Sequence, residues 1–393
     1  MRCPSLGAAL ALGSLLATPP VIAREQAPAA AADPESLKQQ ARDAGRAEES
    51  VRLGRRALEA DSDWNEGRWI VGTALYGLKR FEEARDVFRD FVARERESGA
   101  AWALKGLSEL QLGEYERALE DLERARSLGV YSRDLEGVAR FQLALLLTRF
   151  EEYEAALDLF TRIVARGDER PEVVEGMGLS LLRMPLLPSE LDPGRRELVM
   201  MAGRAAVQWA SNRREAARLA FEELLLRHPE EPEVHFAHGL FLQFEDPDAA
   251  LAEYRRELEL SPLHVQARLA LAWELLQRQE HGQALPLAEQ AVELAPTEAA
   301  ARNVLGRVLL EAGDLDAAIL QLEEGARLAP GSPELRFALA RAYTRAGRSE
   351  DAERERAEFR ALSQASEQGA GPQAIGGIDF SIDERDGGGA ERN

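Results

Sequence analysis

The chain has 393 residues, more than half of them Ala, Leu, Glu, Arg or Lys, which is the composition of long helices and helical arrays. With 69 acidic and 49 basic residues its formal net charge is −20, which argues against a surface built for nucleic acid or anionic lipid, since both need clustered Lys and Arg. The single cysteine, Cys3, excludes a disulfide framework and a cysteine-based metal centre.

Met1 and Arg2 precede an apolar run from Leu6 to Thr18, shorter than the roughly 20 residues of a bilayer span and suited to a secretory signal. Pro19 and Pro20 close the run, and Val21-Ile22-Ala23 offers a cleavage site. Residues 1–23 are therefore expected to be a signal peptide, and the mature chain to be periplasmic or secreted with no integral membrane segment. Cys3 lies too early for lipidation after the apolar run. Residues 24–33 read as a loose linker.

Beyond the linker, one small residue recurs at Gly72, Gly106, Ala144, Gly178, Ala205, Gly239, Ala272, Gly306 and Ala340, mostly 33 or 34 positions apart. A second series shares the period: Ala84, Ala118, Ala156, Ala217, Ala250, Ala284, Ala318 and Ala352. A third is Pro229, Pro262, Pro296 and Pro330. Three series with one period imply a repeated helical hairpin. In the clearest copy, Ala299 to Glu311 is the first helix, Gly313 ends it in the left-handed region, Asp314 caps the next helix, and Pro330 follows its end. Gly306 is expected to face Ala318 so that the two backbones approach closely. A lone hairpin cannot bury its apolar face, so neighbours must stack into an α-solenoid. The arrays are expected at 34–184 and 195–366. Between them, residues 185–194 carry three prolines and read as an irregular loop, either a hinge or a segment packed through Leu186 and Leu187. The polar, Gly-rich residues 367–393 read as a disordered tail.

The unit with Leu305-Gly306, Leu309, Ala318, Leu322 and Pro330 resembles a tetratricopeptide repeat (TPR). Trp102, Gly106, Ala118, Leu122 and Ala125 fit the same pattern, as do Leu339, Ala340, Tyr343 and Ala352. The resemblance covers about 31–366, with a degenerate first unit at 31–64. It implies an all-α fold and a right-handed α-solenoid; with the expected signal peptide, the chain reads as a bacterial, extracytoplasmic member of that family.

Catalytic chemistry is not expected. No P-loop, GxSxG, HExxH or dinucleotide-glycine pattern occurs, and no segment outside the repeats has room for a catalytic domain. His235 and His238 have the i, i+3 spacing of a ligand pair, but no third ligand follows, so packed and hydrogen-bonded histidines are the expectation and no metal or cofactor is assigned. Asp61-Ser62-Asp63-Trp64-Asn65 imitates the start of a calcium loop, yet Glu66 takes its sixth position, and helix capping is expected instead.

In the family that the chain resembles, the first helices line an inner groove. Its inward positions here would be Trp69 and Tyr76; Leu107 and Leu110; Phe141 and Leu145; Phe236 and Phe244; Leu269 and Trp273; and Phe337. Arg307, Arg341 and Arg345 would form a basic corner, and Asn303 with Arg307 faintly resembles the family's carboxylate clamp, although the clamp's lysines are missing. Apolar residues on a solvent-facing groove mark an interaction site. The expected function is a non-catalytic scaffold that binds a peptide or partner protein there. The alternative is a structural or assembly subunit of a cell-envelope complex whose groove is permanently filled. The oligomeric state is left open.

Overall fold

The computed structural model describes residues 33–130 and 132–368. The expected signal peptide, nearly all of the linker and the tail from 369 onward lie outside those residues. Among the described residues there are nineteen α-helices, two short 3-10 turns and no strand. The chain divides into two compact units, residues 1–147 and 148–393. Each is a stack of helical hairpins, the all-α solenoid architecture that the period implies.

The first unit holds α1 (Pro34–Asp43), α2 (Ala47–Ala60), α3 (Asn65–Gly77), α4 (Phe81–Arg94), α5 (Gly99–Gln111), α6 (Tyr115–Leu128) and most of α7 (Arg133–Arg149). Helices α1 and α2 form the degenerate first hairpin. Apolar residues at helical spacing bury Val71, Leu75, Phe88, Phe91 and Leu104 between successive hairpins. First helices lie side by side, α1 beside α3 and α3 beside α5. Lys79 turns the chain between α3 and α4 at φ 59, the left-handed conformation that Gly113 and Gly313 take in later turns.

The second unit continues with α8 (Tyr153–Val164), α9 (Pro171–Leu181), α10 (Arg196–Ala210), α11 (Arg214–Arg227), α12 (Val234–Leu242), α13 (Pro247–Leu260) and α14 (Val265–Gln277). It ends with α15 (His281–Leu294), α16 (Ala299–Ala312), α17 (Leu315–Leu328), α18 (Pro333–Arg345) and α19 (Ser349–Gln368). The hairpin α16–α17 forms as the sequence requires. Gly313 has φ 91, the Asp314 carboxylate accepts the Ala317 N–H at 3.2 Å, and a Cβ on Gly306 would fall 2.5 Å from Leu322 Cγ and 3.3 Å from the Ala318 carbonyl oxygen. Helix α19 runs to Gln368, past the expected start of the tail.

The proline segment packs onto the second unit through two buried leucines. With no second helix after it, α9 pairs with α10 instead, and the two backbones touch. A Cβ on Gly178 would lie 2.0 Å from the Val199 carbonyl oxygen, and one on Gly203 would lie 1.9 Å from that of Val174. The connecting residues fold into two 3-10 turns, Pro188–Glu190 and Pro193–Arg195. They are pinned rather than loose. Leu187 and Leu191 are buried, Arg149 reaches both the Pro185 carbonyl and the Glu190 carboxylate, and that carboxylate accepts the Leu187 N–H at 2.8 Å.

Candidate peptide-binding surface

The inner face expected from the sequence is divided by the structure into covered and reachable parts. Phe236 and Leu269 are buried, and Trp273 is 5 % exposed, all three in the core of the second unit. The cover comes from the next first helix. The His264 ring, at the start of α14, lies 4.7 Å from the Phe236 ring. The Arg307 guanidinium, on α16, lies 5.1 Å from the Trp273 ring. Since α14 lies beside α16 and α16 beside α18, a long side chain from one helix roofs the inward aromatic of its neighbour.

Three corrections follow from this arrangement. Phe236, Leu269 and Trp273 are packing residues rather than exposed groove residues. In the first unit Leu107, on α5 flanked by α3, and Leu145 on α7 are likewise buried. Arg307 is buried too, and it is occupied. It donates to Asn303 Oδ1 at 3.0 Å and to the Glu334 carbonyl at 3.2 Å, while burial, together with the charge of Arg341, pulls its pKa down to about 10.

The reachable residues are the others. In the first unit Trp69, Tyr76, Leu110 and Phe141 are half-buried. Trp69 packs against Phe88 and Phe91, both at 5.9 Å, and Tyr76 packs edge-on to Phe81 at 5.5 Å, and both rings keep part of their surface exposed. In the second unit Phe337 is half-buried beside Phe359 at 5.5 Å. Phe244 is 56 % exposed because α12 stops at Leu242, and a turn without a left-handed residue carries it outward. Arg341 and Arg345 both pair with Glu311, each at 3.0 Å, so the basic corner holds two cations on one carboxylate.

The histidine pair is accounted for by packing. His235 places Nδ1 on the Glu253 carboxylate and Nε2 2.9 Å from the Pro229 carbonyl, and His238 sits 3.2 Å from the other Glu253 oxygen. Burial alone would raise the Glu253 carboxyl, but the two imidazoles outweigh it and hold its pKa at about 2. Asp61 acts in a turn: its carboxylate accepts the Asp63 N–H at 3.0 Å and pairs with Lys38 at 2.7 Å.

One feature escaped the sequence reading. The residue before the periodic small residue is apolar in most units (Val71, Leu143, Met177, Leu271, Leu305, Leu339), but it is Lys105 in the hairpin α5–α6. Lys105 pairs there with Glu109 at 3.0 Å and with Asp121, and beside them opens a cleft of about 580 Å³ lined largely by arginines. The column is also polar at Arg204 and His238, so Lys105 did not stand out as a single break.

Stacked helical hairpins with first helices aligned and a partly exposed aromatic face define a repeat protein of the α-solenoid class. A tetratricopeptide repeat family model matches residues 72–129, 103–172, 202–265, 239–299 and 269–333, and a second model of the same description matches 309–358. These matches span over half of the sequence, and the chain belongs to the tetratricopeptide repeat family. No curated protein matches it. Among solved structures it is similar to MamA 41-end from Desulfovibrio magneticus RS-1, with 20 % identity over 43 % of this chain and 96 % of that one and a TM-score of 0.39. It is also similar to YrrB, described as a TPR protein with an unusual peptide-binding site, with 19 % identity over 42 % of this chain and 88 % of that one and a TM-score of 0.35. No helix among the described residues is long and apolar enough to cross a membrane.

Proposed function

We infer that this chain is a non-catalytic scaffold that holds a peptide or a partner protein on the first-helix faces of its repeats, outside the cytoplasm. The observation that carries the reading is the partly exposed aromatics of each unit taken by itself: Trp69 and Tyr76 on α3 in one, and in the other Phe337 on α18, with Phe244 more than half exposed just past the end of α12. Rings left partly in water gain further burial when another chain covers them. Arg341 and Arg345 add a polar end to that surface in the second unit. The extracytoplasmic placement rests on the Leu6–Thr18 run and the Val21-Ile22-Ala23 site.

The test is site-specific photo-crosslinking in the producing cell. A photoreactive phenylalanine at Tyr76 or Phe244 should give one discrete adduct, and the same group at the outward Leu226 of α11 should not. Adducts of equal yield at all three positions would end the groove reading. Mass spectrometry of the mature N-terminus checks the address: a chain that still begins at Met1 would contradict cleavage after Ala23.

A second reading, a permanently assembled subunit, is favoured by one observation. Helix α11 exposes Leu219 and Leu226, the latter by 81 %, two turns apart on one stripe. A purified chain that runs as a monomer by light scattering, with no co-purifying protein, would count against it.

A further inference from the structure

The arginine-lined cleft lies in the first unit, on a different side of α5 from the first-helix face. Trp102, Lys105 and Glu109 are spaced by three and four and form its floor, whereas Leu107 and Leu110 point elsewhere on the helix. One wall is α4, where Arg85 and Arg89 are followed by Val92 and Ala93, eight positions from Arg85 to Ala93 or about 12 Å at 1.5 Å per residue, and Arg96 stands in the turn just past the end of the helix. The opposite wall is α6, with Arg117 and Arg124 two turns apart. Val92 and Ala93 interrupt the charge on the stretch between Arg89 and Arg96.

Six cations thus line a cleft in a protein whose net charge is −20. Some are already neutralised: Asp86 takes Arg85 and Arg89, Glu114 takes Arg85 and Arg117, and Asp121 with Glu109 takes Lys105. Arg96, in the turn after α4, and Arg124, on α6, are exposed and have no carboxylate partner among the described residues. A guanidinium presents a planar fork that fits a carboxylate. The α4 stretch from Arg85 to Ala93 is as long as roughly four residues of extended chain at about 3.3 Å each. An isolated phosphate would use only one end of such a cleft and would leave Trp102 and Ala93 uncovered.

We propose that this cleft binds an extended acidic peptide segment, with carboxylates on Arg96 and Arg124 and an apolar side chain between them against Trp102 and Ala93. The site is independent of the first-helix face and adds a second recognition surface to the scaffold.

The experiment uses the full chain and a fluorescein-labelled heptapeptide in which a central phenylalanine is flanked by aspartates and glutamates. Its counterpart carries the corresponding amides. By anisotropy at low salt the acidic peptide should bind saturably and the amide peptide should not. The double variant Arg96→Glu/Arg124→Glu, which loses no ion pair and should keep the wild-type circular dichroism, should weaken binding at least about tenfold. Trp102→Ala should weaken it several-fold. Equal binding by the double variant would overturn the proposal, as would the absence of saturable binding up to about 1 mM. Displacement of the peptide by inorganic phosphate or a short oligonucleotide at equal charge concentration would also overturn it, and would identify a general oxyanion surface.

Discussion

At the scale of residues, Glu274 on α14 shows how packing controls ionisation. Burial raises its carboxyl from the ordinary 4.5 to about 7, and the positive charge of Arg278 offsets only part of that. The folded chain therefore holds a proton that the unfolded chain releases, so the Glu274 contribution is fully present below about pH 4.5 and is lost as pH rises through 7. Urea titrations at pH 5 and pH 8 should show a loss on the order of 2 kcal/mol from this group, and Glu274→Gln should remove that share of the slope. An unchanged slope in the variant would refute the assignment. Lys105 poses the converse problem. It neutralises two nearly inaccessible carboxylates, Glu109 and Asp121, and burial with the neighbouring Asp121 already raises Glu109 to about 7. Lys105→Met should cost about 3–5 kcal/mol by urea unfolding, because it strands buried charge rather than merely deleting a contact. Adding Glu109→Gln and Asp121→Asn should restore most of the loss. If Lys105→Met alone proves neutral, the pair is not buried in solution.

At the scale of elements, the period was legible because close approach of two helices forces a small residue at one place in each hairpin, and Gly306 against Leu322 shows the contact that selects it. The pairing of α9 with α10 was not legible. It depends on Gly203, which stands two positions before the periodic Ala205 and so lies outside the series that reveals the repeat. Gly178→Ala should lower stability by about 1–3 kcal/mol, since the added Cβ meets a backbone oxygen that cannot swing aside. Gly106→Ala, whose nearest neighbours lie at 3.0–3.2 Å, should cost less. Equal midpoints for the two variants in thermal melts would show that the α9–α10 seam yields. The roofing of the inner face was equally hidden. Arg307 and Trp273 each read from the sequence as groove residues, and only the lateral packing of α14 against α16 shows that they cover one another.

At the scale of the molecule, an array of hairpins has no single core. Each hairpin is stabilised by its neighbours, and the chain forms two compact units with separate apolar clusters. Unfolding should then depart from a single transition. Trp64, Trp69 and Trp102 report on the first unit, and Trp209 and Trp273 on the second. Variants that keep only one set, the others changed to Phe, should give urea midpoints that differ by fluorescence. Superimposable curves would mean that the units unfold as one.

The chain carries 46 arginines but three lysines, and all three lie in the first unit. Lys38 is ion-paired and buried, Lys105 is locked between its carboxylates, and Lys79 stands exposed in its left-handed turn. An endoproteinase that cleaves only after lysine therefore meets one ready bond in the native molecule. Brief digestion should nick the chain after residue 79 and leave 80–393 as one resistant polypeptide, so the α3–α4 corner is the place where this protein can be opened by a single cut.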